Sequence, residues 1–342
     1  MKVCLVLTHQ CNLGCSYCYA GEKFKRTMSY ESGLKSLALA FSKQGPVEVS
    51  FFGGEPMIAF SQMAALTRVA RRWADRSGRQ LRFAVTTNAT ILNEKHLNFL
   101  RDYNFFVGIS VDGVEEEHDR HRPFVGGRGS GDLVWRNLER AADYLDDFRV
   151  LMVVRPDTVA RLPEAIERMY RLGVSKVSLL PETEADWSDS RHLLADVYQQ
   201  LARVCYFSMM TDEPMYISPF AELHPHLRSN GNGSGRGGCN FGRDEVAVSP
   251  AGNFYPCARL VGPDTRPEVR IGNLENGFDF ERIEELNSCS EASLSKCGSG
   301  GCKCLALMPG DVDYQLLNVK MFTDVTGEAC RIAAACLEEV AA

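Results

Sequence analysis

Three cysteines stand at spacings of three and two residues in the stretch Cys11-Asn12-Leu13-Gly14-Cys15-Ser16-Tyr17-Cys18-Tyr19. Three thiolates so placed can wrap one iron–sulfur cluster, and because a cubane has four irons, one iron is left open. An open coordination position marks a catalytic metal site, since a closed one has nowhere for substrate to bind. The same thiols could instead hold a structural zinc, with His9 as fourth ligand. A second set of thiols lies far downstream: Cys239, Cys257, Cys289, Cys297, Cys302, Cys304, Cys330 and Cys336. Eight thiolates suffice for two closed 4Fe–4S clusters, with one cluster plus a zinc site as the alternative. Of the 13 cysteines, Cys4 and Cys205 remain. They sit in an apolar strand and an apolar helix and read as buried structural thiols.

The surrounding composition says what these thiols are for. With 342 residues, 45% hydrophobic and 24% charged, the chain can bury a core without disulfide staples. Met1-Lys2 runs into a short apolar segment, residues 3–7, with no cleavage site after it, which reads as a strand and not a signal peptide. No stretch approaches the roughly 18 apolar residues of a membrane span. A cytoplasmic location is therefore expected, where thiols stay reduced and clustered cysteines mean metal or redox chemistry. The net charge of −6 disfavours nucleic-acid or membrane partners held by general electrostatic attraction.

The elements that must position the first cysteines are β-rich runs at residues 3–7, 47–52, 83–87, 106–111, 149–154 and 176–180, spaced for crossover helices. Between them apolar residues recur at helical spacing: Met63, Leu66, Ala70 and Trp73; Val134, Leu138, Ala141 and Leu145; Leu162, Ile166 and Met169. Continuous apolar strands joined by helices predict an α/β fold with a parallel sheet, doubly wound or curled into a partial barrel. The pattern ends after a last helix near residues 191–210. Residues 212–238, closing on a glycine- and serine-rich run, read as a connector; a phosphate-cradling loop is disfavoured, because no strand precedes it and no clear helix follows. Residues 239–342 then form a second, loop-rich region that metal clusters would staple.

The cysteine triplet resembles the CxxxCxxC loop of the radical S-adenosylmethionine (radical SAM) superfamily, and the wider chain resembles its SPASM branch of peptide maturases and anaerobic sulfatase-maturase-like enzymes. That resemblance implies a partial (β/α)6 TIM-like barrel over residues 1–211, followed by a small iron–sulfur SPASM domain over 239–342. It also implies that the open iron chelates SAM, and that reductive cleavage of SAM gives a 5′-deoxyadenosyl radical that abstracts hydrogen from an unactivated carbon, chemistry no side chain can perform. Further strand ends carry the likeness. Gly53-Gly54-Glu55-Pro56 resembles the GGEP motif, whose backbone and glutamate hold the methionine amino group of SAM. Thr86-Thr87-Asn88-Ala89-Thr90 is similar to the TNG segment, with alanine for glycine, and Ser110-Val111-Asp112-Gly113 to S-x-D-G. By resemblance Asn88 and Ser110 contact SAM, Tyr17 lies near its adenine, and Arg122 in His118-Asp119-Arg120-His121-Arg122-Pro123 approaches its carboxylate. Helix capping is the alternative role for the strand-end residues.

Cys239, and Gly252 to Cys257 after it, resemble the opening of the SPASM pattern, but Cys289, Cys297, Cys302 and Cys304 depart from its usual spacing. Cysteines one residue apart point oppositely in an extended chain, so Cys302 and Cys304 are expected to serve different clusters. By resemblance Cys239, Cys257 and one of that pair hold the first auxiliary cluster, and Cys289, Cys297, Cys330 and Cys336 the second. Where sulfatase maturases place a catalytic aspartate after the G-x4-C cysteine, this chain has Ala258 and Arg259, and alanine cannot replace a base. Formylglycine formation is therefore disfavoured. Auxiliary clusters that accept an electron favour an oxidative crosslink (thioether, ether or carbon–carbon) in a ribosomally made precursor peptide over redox-neutral epimerisation. A small-molecule substrate is the alternative; a non-catalytic iron–sulfur protein is disfavoured, since it leaves the GGEP position unexplained. The resemblance further implies a reductant such as flavodoxin or ferredoxin. With no winged-helix domain ahead of Val3, a separate leader-recognition protein or strand addition to a sheet edge is expected to present the peptide. His224, His226 and Tyr255 are candidates to line the substrate cavity. Anaerobic reconstitution is expected to load about 12 irons per chain, as three cubanes require; saturation near four would remove the auxiliary clusters.

Overall fold

The computed structural model describes residues 1–224, 241–295 and 302–341. Its first strand, β1 (Lys2–Thr8), shows how the sheet is built: Val3, Leu5 and Leu7 are fully buried on one face, while Lys2, Cys4 and Val6 occupy the other. The strands that follow are β2 (Val47–Gly53), β3 (Leu81–Thr87), β4 (Phe105–Ser110), β5 (Phe148–Val154) and β6 (Lys176–Pro181). Each pairs parallel with the one before it. The crossovers carry α1 (Tyr30–Ser42), α2 (Phe60–Ser77), α3 (Glu94–Asp102), α4 (Glu115–His121), α5 (Gly131–Tyr144) and α6 (Leu162–Arg171), and α7 (Arg191–Ser208) follows β6. The helical periodicity read from the sequence is what they bury: Met63, Leu66 and Ala70 on α2, Val134, Leu138 and Ala141 on α5, Leu162, Ile166 and Met169 on α6. The expected α/β partial barrel is thus the observed one.

Its two faces are packed unequally. The residues facing the helices, such as Val49, Phe83, Val107, Val150, Met152 and Val177, are all but inaccessible. Their alternates along each strand, which share the inner face by register (Cys4 beside Ser50, Ser50 beside Ala84, Ala84 beside Phe106), are mostly half-buried. Phe106 and Leu180 on that face remain 37% and 43% exposed. A closed eight-stranded barrel fills its interior with side chains; this open one leaves the interior hollow.

The connector read over residues 212–238 begins with ordered structure: β7 (Tyr216–Ser218) pairs parallel with β6, and α8 (Phe220–Leu223) follows. Residues 225–240, with His226, Cys239 and the glycine-rich run, lie outside the described residues, as does Cys297. Beyond the connector, β8 (Glu245–Val248) pairs parallel with β1, and β9 (Phe254–Tyr255) pairs antiparallel with β8, giving the order β7-β6-β5-β4-β3-β2-β1-β8-β9. A separate pair, β10 (Gly272–Asn273) and β11 (Gly277–Phe278), is followed by α9 (Phe280–Ser295) and α10 (Val312–Ala341). The C-terminal region is therefore half helical and continues the barrel sheet. Few long apolar runs reach the sequence there because β8 and β9 are short and α10 buries only one stripe.

That stripe docks on α7 and on the segment after β6. Phe322 meets Trp187 edge-on, with ring centroids 4.9 Å apart, and Asn318 donates to the Thr183 carbonyl at 2.9 Å. Truncating Phe322, which is 5% exposed, leaves a cavity. Phe322→Ala is expected to cost about 3–5 kcal/mol of the whole-chain unfolding free energy, measured by urea denaturation. A separate low-stability transition with the barrel transition unmoved would show that the helix folds apart from it.

Candidate active site

The loop after β1 carries the three cysteines, and other strand ends hold it by its backbone. Gly54 and Glu55 donate their amides to the carbonyls of Thr8 and Gln10, both at 2.8 Å. On the opposite side Gly14 donates to Pro123, Ser16 to His121, and Val125 to Asn12. Asn88 donates from Nδ2 to Asn12 Oδ1 at 2.9 Å, and Asn12 donates to Thr90 Oγ1 at 2.8 Å. Three sequence segments read separately thus converge on one loop.

Gly53 and Gly54 are required by this closeness. Gly53 has φ of +150°, open to glycine alone, and a Cβ on Gly54 would fall on the Gln10 carbonyl. Glu55 is fully buried, and its carboxylate accepts from the Met57 amide (3.0 Å), the Thr87 hydroxyl (2.7 Å) and the Asn88 amide (2.7 Å). Burial raises its pKa while these donors oppose the rise. The side chain thus ties β2 to β3, with the backbone of Gly53 and Gly54 beside it. Pro56 is buried and opens the short turn beneath them. Ala89 takes the left-handed conformation, φ +61°, that glycine occupies in the TNG pattern.

Arg122 is buried behind the loop. It donates to Tyr17 Oη at 2.8 Å and stands 3.7 Å from Asp112, while Tyr17 also hydrogen-bonds Asp112. Burial alone would disfavour the guanidinium charge, but Tyr17, Asp112 and Cys15 together hold it more firmly protonated than usual. Its Nε is buried without a partner among the described residues. The residues around it explain the rest of the charged motif. Asp119 accepts from the amides of Ser130 and Gly131, each at 2.6 Å, which starts α5, and Ser130 donates its hydroxyl to the Arg122 carbonyl. His118 accepts from the Asp112 amide at Nδ1 and faces Ser130 from Nε2. Ser110 stands half-buried at the end of β4.

The thiols show what the loop can hold. Burial pushes Cys15 up to about 11 and raises Cys11. Donors nevertheless already point at two of the sulfurs: the Leu13 amide at Cys11 (3.4 Å) and the Lys23 ammonium at Cys18 (2.8 Å). His9, the alternative fourth ligand of a zinc, is stacked on Phe24, and its Nε2 is buried without a hydrogen-bond partner among the described residues. Donors aimed at sulfur, a glycine cradle and an orphaned buried guanidinium nitrogen fit a cluster with SAM upon it.

Of the second cysteine set, Cys302 and Cys304 lie together, sulfurs 3.0 Å apart, with Cys304 also bonded to Cys257. Hydrogen bonds to both neighbours keep the proton on Cys304, while accepting from Cys304 lowers Cys257 and brings Cys302 to about 6. The two side chains therefore do not point oppositely, as they would in an extended chain. A helical turn over Lys303–Leu307 begins between them and rotates Cys304 back toward its neighbour. Arg259, missed in the sequence as a site residue, sits among these thiols with its guanidinium 5.3 Å from the Tyr19 ring. Cys330 is buried on α10 close enough to Cys205 on α7 to help burial raise that thiol to about 11. Cys289 is exposed on α9, and Cys336 lies six residues beyond Cys330 on α10. These three do not come together among the described residues.

Tyr255 is fully buried, its hydroxyl held by Asp264 and Arg270, and His224 is buried beside Tyr206. The cavity is lined instead from the barrel's inner face. About 280 Å³ lies between Cys4, Ser50, Ala84, Thr86 and Phe106 on the strands and Cys257 and Ala258 beyond them. Cys4, expected as a core bystander, therefore faces this space, its thiol pushed up to about 12 by burial.

Residues 5–169, which hold the first strands of this curled parallel sheet with the cysteines after β1 and the glycine pair after β2, match the radical SAM superfamily. This part of the chain is a radical SAM domain, whose cofactors are SAM and a 4Fe–4S cluster. The chain is 25% identical over 326 residues to a serine-type anaerobic sulfatase-maturating enzyme of Klebsiella aerogenes, covering 85% of this chain and 76% of that one. It is 25% identical over 291 residues to the subtilosin biosynthesis protein AlbA of Bacillus subtilis, covering 82% of this chain. An uncharacterised Methanocaldococcus jannaschii protein is 28% identical over 174 residues, 51% of this chain. The chain spans 60% of the length of each of these last two relatives. In fold it matches native anSMEcpe with bound AdoMet, with a TM-score of 0.75 at 20% identity over 97% of this chain and 99% of that one.

His118 gives a pH test of the scaffold. Burial, then the Arg122 charge, lowers it from 6.5 to about 3, so the folded state holds it neutral. Its contribution is complete above pH 6.5 and is lost as the pH falls toward 3, because the unfolded chain takes up the proton first. In urea denaturation of metal-free protein, His118→Asn is expected to be less stable at pH 8 yet to lose less stability between pH 6.5 and 4. Parallel acid limbs would show that His118 does not carry this dependence.

Proposed function

We propose that the protein uses SAM-derived radical chemistry to install an oxidative crosslink in a ribosomally made peptide. Bound to the cluster loop, SAM supplies on reduction a 5′-deoxyadenosyl radical able to take hydrogen from an unactivated carbon. The chain's own residues would do the placing. Cys11, Cys15 and Cys18 would hold the cluster; the Gly53 and Gly54 backbone and the Arg122–Tyr17 pair would receive the polar ends of SAM. Asn88 is committed to the loop through Asn12, so its part is to hold Cys11 in place, whereas Ser110 remains available to ligand.

The observation that carries the reading is the hollow inner face of the barrel, continuous with the wall that bears Cys257. A substrate there would lie between the cluster loop and the Cys257–Cys302–Cys304 set. Placement of a thiolate centre against the cavity supports oxidation over epimerisation. Sulfatase-type oxidation is disfavoured by Ala258, whose methyl lines the cavity where a carboxylate would be needed. Asp264, the acidic residue nearest in sequence, is held by Ser249, Asn253 and Tyr255 and is buried away from it.

Relatives support a peptide substrate: AlbA is a bacteriocin biosynthesis protein, and structures in this fold include anSMEcpe with a peptide and SuiB bound to its precursor peptide SuiA. Cleavage of SAM to 5′-deoxyadenosine by anaerobically reconstituted, dithionite-reduced protein is expected, and its loss in Cys15→Ala. Coexpression with a candidate precursor peptide should lower the peptide mass by two units. Unchanged mass with inverted stereochemistry would replace crosslinking by epimerisation, and 5′-deoxyadenosine formed with no peptide altered would favour a small-molecule substrate.

A further inference from the structure

Most charges on the inner face of the barrel are matched. Lys2 lies between Glu48 and Glu245, at 3.5 and 3.3 Å, on the floor of the cavity. Lys176 on β6 is paired with Asp147 at 2.7 Å. Arg155, above them, has Glu182 and Asp157. Arg149 on β5 is different. Strand alternation puts it on the inner face between the buried Phe148 and Val150, and the register sets it beside Gly108 on β4, where no side chain intervenes. One guanidinium nitrogen donates to Ser178 Oγ at 3.2 Å; among the described residues the buried Nε has no partner and no carboxylate lies within ion-pair distance.

What flanks Arg149 is apolar and accessible. The Phe106 ring, whose centroid is 5.9 Å from the guanidinium carbon, forms part of the cavity wall, and Leu180 and Tyr216 on the same inner face are 43% and 36% exposed. A half-buried, uncompensated guanidinium is costly to leave unpaired and is suited to a planar anion. Aromatic and aliphatic surface beside it suits the apolar neighbours of that anion, and the bond to Ser178 fixes the fork's direction.

We infer that Arg149 and Ser178 form a carboxylate-binding subsite for substrate inside the barrel, with Phe106, Leu180 and Tyr216 receiving apolar groups next to that carboxylate. The inference rests on the barrel interior being the substrate site and adds the chemical class it selects: a peptide presenting an acidic side chain, or its C-terminal carboxylate, beside apolar residues.

Three fluorescein-labelled heptapeptides test it by anisotropy with the full-length protein: amide-capped with one central glutamate between phenylalanine and leucine, the same peptide with glutamine, and the glutamine peptide with a free C-terminal carboxylate. One of the two carboxylate peptides is expected to bind at least about tenfold tighter than the capped glutamine peptide, the size of a charge-assisted hydrogen bond, and which one does so identifies the source of the carboxylate. Arg149→Gln should abolish that preference, Arg149→Lys should retain part of it, and Ser178→Ala should weaken it, with thermal melts confirming that each variant is folded. Equal affinity for all three peptides, or a preference that survives Arg149→Gln, overturns the subsite. Absence of binding by every peptide overturns it as well. Cleavage of SAM without peptide is measured separately, so failure of the radical reading is distinguishable from failure of the subsite.

Discussion

The structure depends on satisfying the backbone of the cysteine loop without using its sulfurs. A loop that must offer thiolates to metal cannot also be held by them, and peptide groups left unpaired beside a buried site would be costly. The solution is to bring the ends of neighbouring segments against it. Gly54 and Glu55 bond one side and Pro123 and His121 the other, while Asn88 and Thr90 reach it through Asn12. Each contributing segment leaves the C-terminal end of a parallel strand, or lies on the crossover after one, which is why the sheet must be parallel and curled.

The inward-facing carboxylate of Glu55 and the neutral His118 follow from the same requirement. Both are buried polar groups whose bonding capacity is committed to protein amides and hydroxyls. They give the loop a fixed frame. Arg122 and Arg149 are the complement: buried or half-buried cations with nitrogen left unpartnered, one behind the cluster loop and one deep in the barrel. A protein that catalyses through a cofactor need only place charge where the bound molecules carry the opposite sign.

The barrel was legible because its strands are buried on the helix side and run as β-branched and aromatic residues, and because α2, α5 and α6 keep strict helical spacing. The chemistry-bearing loops were legible because glycines and cysteines have few other reasons to recur at strand ends. What escaped was set by tertiary pairing. β7 and β8 are three and four residues long and become strands only by joining β6 and β1. Cys302 and Cys304 meet because a helical turn intervenes, which spacing alone could not show. Cys330 lies buried on α10 near Cys205 on α7, a neighbourhood that spacing alone could not show. Arg149 carried no motif; only the register showed that it faces inward.

The pairing of β8 with β1 has a consequence for how the chain is made. Lys2 is joined in register to Glu245, so β1 has one edge uncovered until β8, far later in the chain, pairs with it. Until then its inner strand neighbour is missing and an apolar, β-prone segment stands open to pairing with other chains. Closing so long a loop adds entropy only logarithmically but delays the contact. The half of the barrel that holds the cavity wall should therefore be the last part to form, and the rest must stay soluble while it waits.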